Sequence, residues 1–333
     1  CIQRDGALAA SLKKKKIDVT ALNSLKGRDI KAILRLYSLL KQFRPSVINV
    51  HDYSSLPYVV LSNWLSTRTP VIFTAHGLLY EGFENLRTRY RLFSWGVREI
   101  TAVSEKVAER HRNYLNWKKQ IKIIPNGVPY ITNVPGIRAE IRKTLDTEDN
   151  AIVYLSVGNF RPEKGFEDLI KAASILYQQK PNKPWEIWIV GDLSRSSYSN
   201  QVIALSRSLG LENRIKFLGF RKDVLHLYQA CNAFVLSSKS EGLPMVILEA
   251  MMAGLPIVAT KVGGVPKALG EYGILVEPQN PVALARGMGN VLSNTRQAKQ
   301  MGELARSRAQ KKFSIKKMVD NYIKFYQSTI SQL

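Results

Sequence analysis

Cysteine is nearly absent from this chain: there are two in 333 residues, Cys1 and Cys231. Two thiols cannot build the disulfide framework of a small secreted domain, and they suit a reducing compartment. Long apolar runs are missing as well. The most apolar stretch, "MVILEAMMAGLPIVA", is broken by Glu249, Gly254 and Pro256, so nothing approaches the about 18 uncharged apolar residues of a membrane-spanning helix. No secretory leader pattern stands at the start. The four histidines and two cysteines show no zinc-binding spacing, and no D-x-D triplet occurs. Acidic residues are scarce, 26 against 49 Lys and Arg, which leaves a net charge of +23. The excess is not a basic tail, because 25 of the basic and 13 of the acidic residues lie at or before Asn150. Such a balance calls for acidic partners: phosphorylated substrates, anionic lipid headgroups or nucleic acid. No helix-turn-helix, zinc or RNA-reading aromatic motif is present, so no nucleic-acid partner is expected. A charged surface that only keeps the protein soluble is the competing reading.

What is present is an alternation of short β-branched runs with amphipathic helical stretches. "SVINV" (46–50), "PVIFTAH" (70–76), "EITAV" (99–103) and "IKIIPNG" (121–127) read as buried strands, with helical patterns such as "RDIKAILRLYSLLKQF" between them. The rhythm restarts at Ala151 with "AIVYLSVG", "WEIWIVGD", "RIKFLGF", "NAFVLSS" and "PIVATKVGG". This alternation predicts an α/β fold of two Rossmann-like, doubly wound domains. In such an architecture ligands bind at the carboxyl ends of the strands, and the two domains are expected to face each other across a cleft. The Pro/Gly-bearing stretch "GVPYITNVPG" separates them, giving expected domains at 1–133 and 134–312, with a helix at 313–333 packing back on the first. The beginning reads as a helix followed by a strand, "DGALAASLKKKKIDVTAL". A doubly wound domain opens instead with a strand and a glycine-rich turn, so about one strand–helix unit, roughly 30 residues, is expected upstream.

Glu249 sits inside an otherwise apolar helix, where an unpaired carboxylate is costly. No basic residue is near in sequence, so hydroxyl donors such as a ribose diol suit it, against the alternative of a backbone group or a distant lysine. Glu241 precedes it by eight residues, about 80° away if both lie on one helix. Pro244 suits a first helical turn, and the N–H groups of Leu243, Met245 and Val246 there form an anion-binding start. "GNFRPEKG" (158–165) follows the first strand of the second domain. Lys164 and Arg161 can neutralise a diphosphate, and Gly158 permits close backbone approach. His76 and His51 each end a strand of the first domain.

"EGLPMVILEAMMAGLPIVA" resembles the E-x7-E signature of retaining glycosyltransferases of family 4, which have the two-domain GT-B fold. "TAHG", "ITAVSEKVAE", "IIPNGV", "SVGNFRPEKGFEDLI" and "KVGGVP" support it in the family's order. The resemblance implies transfer of a sugar from a nucleotide diphosphate sugar to a sugar or lipid-linked acceptor in cell-envelope, exopolysaccharide or lipopolysaccharide synthesis, with retention. It implies that Glu249 binds the donor ribose, that Glu241 with Gly242 meets the donor sugar, and that His76 contacts that sugar. It also implies that backbone at Phe220 and Arg221 flanks the base, and it puts His51 on the acceptor side. The sequence departs from the family in Asn159, where an arginine is common, in Lys267 after "GGVP", and in "GDLSRSS", which lacks a second glycine. Neither cofactor nor metal is expected, since Lys164, Arg161 and a helix start can stabilise the leaving diphosphate. Two other readings stay open, a non-catalytic nucleotide-sugar-binding protein and a GT-B epimerase. The expected location is cytoplasmic, with an anionic membrane surface as candidate partner through Ser11–Lys16 and Arg87–Arg98; the latter, carrying Tyr90, Phe93 and Trp95, reads either as an interfacial helix or as a core-facing amphipathic helix with a solvated basic face.

Overall fold

The computed structural model describes residues 6–24, 29–79, 84–180, 182–194 and 197–331. The chain divides into two compact units, Cys1–Ile124 with Tyr322–Leu333, and Pro125–Asn321. The first contains α1 (Ala7–Lys14), α2 (Ile30–Phe43), β1 (Ile48–Val50), α3 (Leu56–Leu65), β2 (Val71–Ala75), α4 (Glu84–Phe93), β3 (Glu99–Ala102), α5 (Glu105–Leu115) and β4 (Lys122–Ile123). Its strands pair in the order β1-β2-β3-β4, all parallel. Parallel strands covered on both faces read as continuous apolar runs, and all five residues of β2 are buried. Local signals set the helix ends. Asp29 accepts the Ala32 N–H at the start of α2, Ser104 accepts that of Val107 at the start of α5, and left-handed Arg44 and Asn116 stop the two helices.

One expectation for this unit fails and another holds only in part. Residues 17–24 form no strand; the Ile17 N–H bonds back to Leu12 C=O at the end of α1, and no strand pairs alongside. Tyr90, which the interfacial reading of 87–98 put on a membrane face and its alternative put in the core, is fully buried against Phe73, Tyr53 and His111, whereas Leu92 and Trp95 are exposed.

The second unit holds α6 (Ile137–Thr144), β5 (Ile152–Val157), α7 (Phe166–Gln179), β6 (Trp185–Val190), α8 (Ser197–Ser208), β7 (Ile215–Gly219), α9 (Val224–Ala230) and β8 (Ala233–Leu236). It continues through α10 (Met245–Ala253), β9 (Ile257–Thr260), α11 (Val265–Leu269), β10 (Ile274–Val276), α12 (Pro281–Ser293), α13 (Thr295–Lys312) and the first part of α14 (Ile315–Ile330). Its parallel sheet runs β10-β9-β8-β5-β6-β7, so the winding reverses between β5 and β8. Every residue of β6 is buried, and Trp185, Ile187, Phe166 and Leu169 belong to one core cluster. Arg142 is buried beside α9; its guanidinium donates to the carbonyls of Ala230, Glu148, Asp149 and Ala151 and to Asn232 Oδ1.

The expected break at 133 lies inside this unit. Val128 bridges Ser314 and donates its N–H to Phe313 C=O. Gly127 packs so closely that a Cβ would stand 2.9 Å from Ile315 Cα. "GVPYITNVPG" is therefore anchored rather than a free linker. Nor does the final helix separate at 313: α14 starts in the second unit, and from Tyr322 it belongs to the first. There Asn49 Nδ2 donates to Tyr326 Oη at 2.7 Å, and the Tyr322 hydroxyl hydrogen-bonds Thr74 and Thr101. No described helix is long and apolar enough to cross a membrane.

Candidate active site

In the second unit the winding reversal leaves a gap at the carboxyl ends of β5 and β8, the place where this architecture binds ligands. Gly158 follows β5 and Ser237–Gly242 follow β8. A 3-10 turn, Pro162–Lys164, leads to Gly165, whose φ of +61° and position leave no room for a side chain: a Cβ would lie 2.3 Å from Ser237 O. This close approach brings Lys164 to the β8 loop. Lys164 Nζ lies 2.7 Å from Glu241 Oε1, and Ser238 Oγ donates to the same oxygen at 2.7 Å. Glu241 is buried and Lys164 half-buried. The sequence reading kept these two residues apart, one for phosphate and one for sugar; the fold makes them an ion pair.

The loop that carries Glu241 is held by three backbone contacts. Gly263, with φ +52°, passes so near that a Cβ would sit 1.9 Å from Glu241 O. The Gly264 N–H donates to Gly242 O at 2.7 Å, and Asn126 Nδ2 donates to Leu243 O at 3.1 Å. "PNG" and "VGG", distant in sequence, thus serve the same loop.

Pro244 is extended (φ −70°, ψ 129°) and caps α10, which begins at Met245. Glu241 consequently precedes the helix, and the 80° helical offset to Glu249 does not apply. Leu243 and Pro244 are buried, while Met245 and Val246 supply first-turn N–H groups that have no helical acceptor. Glu249 is half-buried on α10, and its Oε2 accepts a hydrogen bond from Tyr228 Oη at 3.0 Å. Tyr228, on α9, is the donor that the sequence reading missed. Its hydroxyl also lies 3.2 Å from Val246 O, so one proton is divided between two acceptors. Burial raises the Glu249 pKa above the ordinary carboxylate value, and the Tyr228 bond partly opposes it.

Other expected residues gather less tightly. Arg161 is 67% exposed and lies 3.8 Å from Glu163, whereas Lys164 is half-buried against Glu241. A Cβ at Gly158 would meet only Lys164 and Phe166 atoms at 3.6 Å, ordinary contact, so the chain's own packing does not demand glycine there. It does at Gly191, where a Cβ would lie 2.1 Å from Gly158 O. Phe220, 71% exposed, follows β7, and the Arg221 guanidinium is engaged by both carboxylate oxygens of Asp223.

In the first unit the adjacent strands β1 and β2 deliver His51 and His76 side by side. His51 Nδ1 and His76 Nε2 are 2.7 Å apart, and the rings stack with centroids 5.1 Å apart. Partial burial holds both below the ordinary histidine value; Asp52 pulls His51 back up, and His51 pushes His76 further down. One of the two facing nitrogens donates to the other. Behind them is a histidine that the sequence reading passed over. His111, buried on α5, has Nε2 3.1 Å from Gly77 O and Nδ1 2.8 Å from Tyr90 Oη. A carbonyl can only accept, so Nε2 carries the proton and Nδ1 accepts from the tyrosine. This relay fixes the residue next to His76. Among the described residues no cluster of three or more His, Cys, Asp or Glu gathers as metal ligands.

Comparison with known proteins places this geometry. Residues 137–308 match the family model described as Glycosyl transferases group 1, and residues 4–130 match that of Glycosyltransferase Family 4. The chain belongs to these glycosyltransferases. It is 23% identical over 290 residues to N-acetyl-alpha-D-glucosaminyl L-malate synthase of Bacillus anthracis, covering 84% of this chain and 74% of that protein. It is 30% identical over 224 residues to the lipopolysaccharide core biosynthesis glycosyltransferase LpsE of Rhizobium meliloti, covering 67% of this chain and 62% of the relative. The structure of Anabaena HepE in complex with UDP and glucose superposes with a TM-score of 0.87 at 23% identity, over 98% of this chain and 90% of that one. The fold is the GT-B class of two parallel-sheet α/β domains.

Two outcomes follow from the titrations. Glu249 has its folded pKa raised, so its ionised form opposes folding as pH rises from the unfolded carboxylate value through the folded one. Glu249→Gln is expected to melt about 2–4 °C above wild type at pH 8, and equal to it at pH 4, by calorimetry. Equal melting at both pH values would contradict the burial argument. For His111 the folded pKa is pushed down to about 4 by burial. Its neutral form stabilises above pH 6.5, and that contribution is lost as pH falls toward 4. Between pH 7 and 4 the wild type should lose roughly 3 kcal/mol more than His111→Gln in urea titrations.

Proposed function

We propose that this glycosyltransferase moves a sugar from a nucleotide diphosphate sugar to a sugar or lipid-linked acceptor, with retention, in the synthesis of a cell-envelope or exported glycan. The observation that carries the reading is the meeting of Lys164 and buried Glu241 at the strand-order reversal, beside a helix start that leads to Glu249. A lysine ammonium has three donors. It can keep Glu241 with one and bind diphosphate oxygens with the others, while the N–H groups of Met245 and Val246 add the partial positive charge of a helix start. Glu249 exchanges its Tyr228 bond for the ribose hydroxyls. Glu241 Oε1 is occupied by Lys164 and Ser238, and Oε2, with Gly242 beside it, is assigned to hydroxyls of the transferred sugar. Backbone at Gly158 adjoins the diphosphate, and backbone at Phe220 and Arg221 adjoins the base. His76 is assigned to the sugar and His51 to the acceptor. The UDP and glucose of the Anabaena neighbour support the donor class, and the lipopolysaccharide role named for the Rhizobium relative supports an envelope acceptor.

The chemistry follows from the charges. As the bond from the anomeric carbon to the diphosphate oxygen breaks, negative charge grows on the departing group and Lys164 stabilises it most at that point. Among the described residues the Arg161 guanidinium has a long surface contact, to Glu163, and it is the second cation proposed for that charge. The acceptor hydroxyl attacks from the face the diphosphate leaves, and the leaving oxygen takes its proton. No metal or cofactor is assigned a step.

Lys164→Ala should lower turnover by about 10²-fold while donor affinity, measured by calorimetry, changes much less. Glu249→Gln should weaken nucleotide diphosphate binding by about 1.5–3 kcal/mol. Magnesium or EDTA should leave the wild-type rate unaltered, and NMR of the product should show the donor's anomeric configuration. An inverted product, strict metal dependence, or equal losses of turnover and affinity in Lys164→Ala would overturn this mechanism.

A further inference from the structure

The first unit leaves a surface of unusual composition open to solvent. On α2 the residues that pack inward include Ala32 and Leu40. Ile30, Leu34 and Tyr37 lie within about 60° of one another on a different face. Ile30 and Leu34 are exposed, and Lys41 covers the Tyr37 ring at 4.9 Å. Helix α3 packs between α2 and α4, and two cavities join their edges. One, of 340 Å³, is lined by Ile30 of α2, Pro57 and Leu61 of α3, and Arg89 and Leu92 of α4. The other, of 440 Å³, brings Trp64 at the end of α3 to Trp95 beyond α4, with Arg68 and Arg98 at its wall. Trp64 and Trp95 are 54% and 61% exposed. Leu92 is exposed as well.

The charge of this face is predominantly positive. Neither α2 nor α3 contains an acidic residue, and none occurs from Arg87 to Arg98. Asp29, at the edge of the smaller cavity, is salt-bridged to Arg35. Large apolar side chains standing out among cations, with indoles on the perimeter, match the interfacial zone of an anionic bilayer. There apolar groups enter the acyl boundary, indoles sit at the headgroups, and arginines meet the phosphates. A second copy of this chain is a poor occupant, because it would press two cationic surfaces together.

We infer that the α2–α3–α4 face of the first unit docks on an anionic lipid bilayer, with Trp64, Trp95, Leu92 and Ile30 inserting and the flanking arginines and lysines binding lipid phosphate. This inference stands apart from the donor site, which lies in the second unit.

The test uses the full chain with vesicles of phosphatidylcholine alone or containing phosphatidylglycerol. Wild type should co-sediment with the anionic vesicles only, and release as salt approaches about 0.5 M. Trp64→Ala/Trp95→Ala and Arg89→Glu/Arg91→Glu should each weaken that partition by roughly ten-fold or more, given about 1 kcal/mol per basic residue near the surface. Brominated acyl chains should quench tryptophan fluorescence in wild type and much less in the double tryptophan variant. Nucleotide diphosphate binding should be unchanged in both variants, which separates this outcome from a failure of the donor site. If the tryptophan variant does not fold, the arginine variant decides alone. Unaltered partition of the variants, or no partition of wild type, would overturn the inference. So would self-association that both variants abolish, which would give the face to a second copy, or binding to soluble polyglutamate without binding to vesicles, which would give it to an acidic protein.

Discussion

The second unit is organised around one constraint: a carboxylate, Glu241, is buried at the end of β8 and must be neutralised there. Removing it from water without a partner would cost several kcal/mol. Lys164 and Ser238 both meet its Oε1 at 2.7 Å, and each needs a backbone arrangement to arrive. For Lys164 that arrangement is the left-handed Gly165 pressed against Ser237 O. For Glu241 itself it is a loop stitched to Gly263, Gly264 and Asn126. The glycines of these motifs are therefore consequences of placing an ion pair where the strand order reverses. Altering any of them moves a charge.

The same constraint explains the start of α10. Because the loop is pinned through Leu243 and Pro244, the helix begins at Met245. Its first N–H groups follow Glu241, the carboxylate that Lys164 pairs, by a few residues. In the proposed mechanism the helix start and the lysine act on one diphosphate. Glu249 is the complementary case. Among the described residues its desolvation is partly offset by the bond from the Tyr228 hydroxyl, which under the proposed function gives way to the two hydroxyls of a ribose. A carboxylate whose burial is offset mainly by a neutral donor costs stability when ionised.

How much of this was legible in the sequence depends on distance along the chain. The alternation of apolar runs and helical patterns identified the strands that compose both sheets, except for β10, whose three residues, "ILV", are too few to show a pattern. The expected strand after α1 failed for the opposite reason: β-branched residues were present, but pairing requires a neighbour that local composition cannot supply. Lys164, Glu241 and Glu249 stood out because charged residues in apolar or glycine-rich surroundings need an explanation. Their partners did not. Tyr228 lies in an ordinary amphipathic helix, and His111 in one with many polar residues. Nothing local marks either as facing Glu249 or Gly77 O. The boundary between the units was misjudged likewise, since Val128 is held by Phe313 and Ser314, and Pro/Gly content alone suggested a linker.

The chain's loudest compositional feature is largely separate from its chemistry. Of 49 basic residues, only Lys164 and Arg161 stand at the strand-order reversal as sequence-expected cations, and one of them is on the surface. The proposed neutralisation of a diphosphate by one lysine and a helix start does not require a net charge of +23. Arg142 spends its guanidinium on carbonyls inside the core, and Arg221 is bound to Asp223. The remaining excess lies outward, where isolated surface charges contribute little to stability. In the first unit that excess is not scattered uniformly: α2, α3 and residues 87–98 lack acids altogether while exposing tryptophan, leucine and isoleucine. Solubility alone would not favour large apolar side chains among those cations. Composition therefore separates two features of this chain, a few buried charges around the proposed reaction centre and a predominantly cationic amphipathic surface for which an anionic bilayer is the proposed partner.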